Sequence, residues 1–299
     1  MSILVVGSIA LDSVETPFGK VDNALGGSAL YFSNAASLFS PVNIVGVVGN
    51  DFDFAEIDYL KTKGCDFSGM TVETGETFRW GGRYHKNVNK RDTLFTHLNV
   101  FEKFKPVIPE KYGDCELIFL ANIDPELQLD VLRQIKKPRL TVLDTMNFWI
   151  HGKRDALLDL VRKVDVMILN DEELTDLTGK LNLYEGGAEL LDMGLQAIVV
   201  KKGQHGAVML DKDGQFLAPA FPVSKVVDPT GAGDTFAGGF LGYLSTCAKI
   251  DDAAFRKAVI YGTVSASYVV EGFSFNRLRE IGKSDLDARF AELQQMTRF

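Results

Sequence analysis

Short apolar runs alternate with longer helical stretches along most of this chain. Ile3 to Gly7, Val42 to Val48, Leu117 to Ala121, Leu140 to Asp144, Val166 to Asn170 and Ala197 to Lys201 read as strands. Most are continuously apolar, the pattern of strands covered on both faces. Between them, Ser28 to Phe39, Phe54 to Lys63, Pro125 to Ile135, Arg154 to Lys163, Glu172 to Thr178 and Glu185 to Met193 read as helices. Acidic starts such as Asp171-Glu172-Glu173 suit the positive end of a helix dipole. The alternation predicts a doubly wound α/β sandwich around a mainly parallel sheet.

Two stretches break the rhythm. Asp12 to Leu25 is polar, contains Pro17, Gly19 and Asn23, and has no helical period. From Thr71 to Phe101, Thr77 to Tyr84 and Thr93 to Leu98 flank the turn-like Lys86 to Asp92. That second stretch predicts a β-hairpin rich in aromatic and threonine residues. The expectation is one domain over residues 1–299, with about 12–25 and 71–101 forming a small β-sheet lid. The hairpin aromatics Phe78, Trp80 and Tyr84 suit a lid or a homodimer clasp ahead of direct base stacking.

Composition narrows the partners. Apolar residues make up 46% and charged ones 24% of 299 residues, values of an ordinary globular chain. The net charge of −8 argues against nucleic acid as a partner, while a small anion can still be met locally. No run reaches the roughly 18 to 20 apolar residues of a membrane span. Met1-Ser2 leads into Ile3 to Val6 without a basic segment, so a secretory leader is not expected. Cys65, Cys115 and Cys247 are scattered, which fits reduced thiols and a cytoplasmic location. The four histidines form no HxxxH or HExxH pattern, against a protein-built transition-metal site.

Chemistry concentrates at Asp228-Pro229-Thr230-Gly231-Ala232-Gly233-Asp234-Thr235-Phe236. A small-residue turn opening a helix presents free backbone N–H groups at the positive dipole end, an anion hole. Asp234, one turn into that helix, is awkward beside a bound phosphate. Either it caps its own amides, or it accepts a proton from a hydroxyl attacking the phosphate.

This segment resembles the C-terminal signature of the ribokinase-like (phosphofructokinase-B type) sugar and nucleoside kinases, and the resemblance runs through the chain in order. Val6 to Asp12 is similar to the opening strand and substrate aspartate, and Gly26-Gly27-Ser28-Ala29 to the double glycine at a helix start. Val45 to Asp51 resembles the VGxDxxG region, Asn170-Asp171-Glu172-Glu173 the Asn-x-x-Glu motif, and Val199 to Gly206 the nucleotide loop. The resemblance implies a three-layer αβα sandwich with a central, mostly parallel sheet and a small β-sheet lid. It implies an ATP-dependent kinase using Mg2+, with Asp234 as general base and Gly231, Ala232 and Gly233 as the anion hole. Asn170, Glu173, Lys201, Gly203 and Gly206 would serve the nucleotide, with Glu173 holding Mg2+ through water. Asp228 and Thr230 would form a K+ site, or simply shape the loop around Pro229.

On the acceptor side the resemblance implies Asp12, Gly26 and Gly27, joined by Tyr31 and by Asn122 at a strand end. The chain departs from the family in two places. Tyr31 stands where an asparagine is frequent, with Asn34 one turn further, and it either stacks on an acceptor or fills core. Lys201 stands where a threonine is frequent, and it either reaches an ATP phosphate or lies on the surface. Asp124, Asp144 and Asn147 end neighbouring strands and are further candidates for the acceptor cleft. The expected reaction phosphorylates a primary hydroxyl of a small sugar or sugar derivative. The alternatives are a nucleoside acceptor, or a non-catalytic relative that binds sugar or nucleotide. No GxGxxG follows the first strand, against a Rossmann dehydrogenase.

Overall fold

A computed structural model describes residues 1–88 and 90–298; Asn89, in the expected hairpin turn, lies outside the described residues. The strands are β1 (Ile3–Val6), β2 (Ala10–Thr16), β3 (Gly19–Gly26), β4 (Val42–Gly49), β5 (Asp66–Glu73), β6 (Phe78–Tyr84), β7 (Arg91–His97), β8 (Leu117–Leu120), β9 (Leu140–Asp144), β10 (Val166–Asn170), β11 (Ala197–Lys201), β12 (Ala207–Asp211) and β13 (Gln215–Ala218). Nine form one sheet in the order β13-β12-β11-β10-β9-β8-β1-β4-β5. Every pairing from β11 to β5 is parallel, and only β12 and β13 join antiparallel.

The apolar runs become strands because both faces are covered. Ile3 and Val5 enter one core with Phe32, Phe240 and Val264, while Leu4 and Val6 enter another with Val131, Leu157 and Leu174. Helices Ser28–Ala36, Ala232–Ser245 and Asp252–Val269 cover the first face, and Pro125–Gln134, Arg154–Val161, Asp171–Thr178 and Leu183–Asp192 the second. This is the expected three-layer sandwich.

The irregular stretches form a second, four-stranded sheet in the order β3-β2-β6-β7. Its first hairpin begins at Ala10, and β6 joins β2 in parallel, with Asp12 opposite Trp80. Residues 71–73 are an exception, since they end β5 of the large sheet. The expected helix at Phe54 to Lys63 is a 3-10 turn, Phe54–Ile57, followed by the short helix Asp58–Thr62. Among the described residues no helix is long and apolar enough to cross a membrane.

Candidate active site

Beside β1 the strand order reverses, because β4 pairs one edge and β8 the other. In open α/β sheets such a switch leaves a crevice beyond the carboxyl ends of the strands. Ser8, just past β1, and Ser28, opening the first long helix, exchange hydrogen bonds at 3.1 Å and pin that helix over the crevice. Most of the acidic and glycine residues singled out in the sequence line this edge.

The Gly231 turn is built by close packing. Gly231 has φ 72°, a left-handed conformation, and caps the helix Ala232–Ser245. A Cβ there would lie 2.3 Å from the Tyr31 ring, so glycine is required twice over. Tyr31 is 2% exposed and meets Phe275 edge-on at 5.6 Å, a wall of the site more than an open contact surface. Asn34 is likewise committed, accepting from the Tyr59 hydroxyl at 2.5 Å.

Behind this turn lies one cation among three acids. Lys201, at the end of β11, reaches past β10 to place Nζ 3.8 Å from Oδ1 of Asp144 at the end of β9. The same Nζ lies 2.8 Å from where a Cβ on Gly233 would be. Burial alone would depress the Lys201 ammonium, but Asp144, Glu173 and Asp234 together hold its pKa above the ordinary lysine value. Burial, and after it Asp144, push the Asp234 carboxyl up to about 7 against the pull of Lys201. Burial also raises Asp144, which accepts from the Thr145 N–H at 2.8 Å. Lys201 is therefore no surface lysine. Asp144 stands with Lys201 and Glu173, a grouping that its strand-end position alone did not reveal.

Asn170 and Glu173 form a reciprocal capping box. The Glu173 N–H donates to Asn170 Oδ1 and the Asn170 N–H to Glu173 Oε2, each at 2.7 Å. Glu173 is 7% exposed, and burial raises its carboxyl to about 7. A solvated helix glutamate is thereby excluded. Gly203 and Gly206 follow in the loop after β11, closed by Lys202 N–H donating to the Gly206 carbonyl at 2.8 Å.

On the other side of the Gly231 turn, Asp12 is 5% exposed and sits against Gly26, where a Cβ would lie 1.9 Å from its Oδ2. Burial, then the charges of Asp228 and Asp234, push Asp12 up to about 8, against a Gly27 N–H bond and the charge of Arg91. Asp228 is 1% exposed; its two oxygens accept from the Thr230 N–H at 2.9 Å and the Ser274 N–H at 3.4 Å. Thr230 in turn donates its hydroxyl to the Tyr84 hydroxyl at 3.2 Å, tying the second sheet to the turn. Asn122, past β8, accepts from the Trp149 indole at 3.0 Å.

Two contributors escaped the sequence reading. Tyr84 was legible only as a hairpin aromatic, and Arg91 only as a charge in the turn. Their pairing across β6 and β7 lets the Arg91 charge reach Asp12 and sets Tyr84 beside Thr230.

Comparison with known proteins agrees with this geometry. The model of the pfkB carbohydrate kinase family matches residues 3–277. A cytidine kinase of Thermococcus kodakarensis is 30% identical over 263 residues, covering 84% of this chain and 93% of that protein. A ribokinase of Lactococcus lactis is 28% identical over 280 residues, covering 88% and 90%. The crystal structure of a Methanocaldococcus jannaschii nucleoside kinase superposes with TM-score 0.77 at 22% identity, covering 97% of this chain and 98% of that one. The chain belongs to the pfkB family of carbohydrate kinases, ATP-dependent phosphotransferases with an alcohol group as acceptor.

Proposed function

We propose that this kinase transfers the γ-phosphoryl group of ATP to the primary hydroxyl of a nucleoside. The observation that carries the reading is the shared cleft of Asp12, Asp234 and the Gly231 turn, with both carboxylates held near neutral pKa. The Thermococcus relative, matched over most of both chains, favours the nucleoside.

Asp12 accepts the vicinal hydroxyls of the ribose, brought close by the bare Gly26 backbone. Asp234 takes the proton from the primary hydroxyl as its oxygen attacks phosphorus, a role suited to a carboxylate titrating near 7. The N–H group of Gly233 receives the charge developing on the transferred group, while the Ala232 N–H, expected to share that task, already donates to the Pro229 carbonyl at 3.2 Å. Lys201, beside Gly233, offers a point charge to the same oxygens.

The donors fit magnesium in one way. Among the described residues no three of His, Cys, Asp or Glu converge to hold a metal ion directly. Mg2+ commonly keeps several waters and phosphate oxygens, and the unengaged oxygen of Glu173, with Asp144 behind it, would hold such waters. When bound, the ion neutralises phosphate charge. A K+ site at Asp228 and Thr230 is not carried into the proposal, because both Asp228 oxygens already accept backbone N–H groups. The second sheet would close over the acceptor as a lid. Docking of a second copy on its outer face, where Arg79 pairs with Asp51 and Arg83 with Glu15, would double the mass read by light scattering.

A base-free sugar is the second reading, favoured by the Lactococcus ribokinase and by Asp12, which serves any vicinal diol. ATP-dependent product formation over nucleosides, pentoses and hexoses decides between them. Failure to phosphorylate any of these would remove the proposal.

A further inference from the structure

The face of the second sheet that carries Asp12 also carries an exposed arginine laid on an aromatic ring. Asp12 and Trp80 are register partners on β2 and β6 and so share a face. The Trp80 ring lies across Gly82, where a Cβ would come within 2.1 Å of it. Arg91, paired with Tyr84 across the hairpin, lies over that ring at 5.1 Å. Its charge also acts on the Tyr84 phenol, whose hydroxyl accepts from Thr230 beside the Gly231 turn. Among the described residues Arg91 has no carboxylate in ion-pair contact, and its charge is felt at Asp12. The indole thus takes one face of the guanidinium, and the charge lies on the face of the sheet that carries Asp12.

We propose that Arg91, shelved on Trp80, is a specificity-determining residue that reads an oxo group on the base of the nucleoside acceptor. This rests on the nucleoside reading above. With the primary hydroxyl at Asp234 and the ribose diol at Asp12, the remaining ring substituent projects toward the sheet that carries Arg91. A guanidinium plane held on an aromatic ring suits both stacking with a base and donation to an sp2 oxygen. A neutral ligand suits this space better than a sugar acid or sugar phosphate, because an anion beside Asp12 and Asp234 would oppose the ionisation that Asp234 needs to act as base. Cytosine, uracil and hypoxanthine offer the oxo group; adenine does not.

The test compares kcat/KM for cytidine, uridine, inosine, adenosine and D-ribose in the wild type, R91Q and R91K, with a thermal melt of each. The wild type is expected to favour oxo-bearing bases over adenosine by about ten- to a hundred-fold, the range of a charge-assisted hydrogen bond. R91Q brings that ratio to within about two-fold, and R91K, which keeps the charge but loses the planar fork, keeps at most a small part of it. R91K carries the comparison if R91Q does not fold. A preference for oxo-bearing bases that survives both substitutions overturns the inference while leaving the nucleoside reading intact. A wild type that phosphorylates D-ribose and no nucleoside overturns that reading, and the inference with it.

Discussion

Lys201 Nζ stands 3.8 Å from Asp144 Oδ1, bridging the ends of two strands that are not neighbours in the sheet. One buried ammonium serves three carboxylates, because Glu173 and Asp234 act on it as well. Its removal leaves acids with no counter-charge where further phosphate charge must enter. K201M is expected to lower kcat/KM for ATP by about a hundred-fold or more, in line with the loss of a preorganised charge. K201T, the residue frequent in the family, should behave likewise, since the Asp144 contact is lost too. Initial-rate kinetics over ATP concentration checks this; near-wild-type values would separate Lys201 from the phosphate site.

Asp234 supplies a pH test with a definite sign. A carboxyl titrating at about 7 is a competent base only when deprotonated. The rate should therefore rise about ten-fold per pH unit below 7 and level off above it. D234N is expected to lose about two to four orders of magnitude in kcat, the usual worth of a general base. ATP binding, followed by calorimetry, should persist in D234N. A rate that falls as pH rises through this window would assign the base elsewhere.

The Gly231 turn depends on the absence of one methyl group. G231A must adopt φ 72° and push aside the Tyr31 ring, which Phe275 holds from behind. The backbone strain alone costs on the order of 1–3 kcal/mol. Thermal melts should drop by several degrees and turnover should be lost. A folded, active G231A would mean that the turn does not shape the anion hole.

What could be read from the sequence followed burial. Leu140–Asp144, Val166–Asn170 and Ala197–Lys201 are covered on both faces, so apolar runs reported their ends to the residue. β3 fell within the expected small sheet but could not be bounded as a strand, because Lys20 to Asn23 lie largely in solvent and carry no alternation. The glycine turn and the capping box are local motifs, legible from spacing. Lys201 with Asp144, and Arg91 with Asp12, are separated by 57 and 79 positions, and only strand order and register bring them together. The Lys201 departure from the family's threonine was visible in the sequence, but its partner Asp144 was not.

The acceptor carboxylate leaves a mark on folding. Asp12 is raised from an ordinary 3.8 to about 8 in the folded protein, chiefly by burial and then by Asp228 and Asp234. Between those values the folded chain holds a proton that the unfolded chain has released. Stability then falls as pH rises, because the unfolded state binds fewer protons. The ligand-free enzyme should accordingly melt higher near pH 5.5 than near pH 8, the reverse of a carboxylate stabilised by an ion pair. D12N removes the titration and should flatten this dependence while raising KM for the acceptor. A wild-type melting curve that climbs from pH 5.5 to 8, or a D12N slope equal to the wild type's, would show that Asp12 stays ionised in the empty cleft.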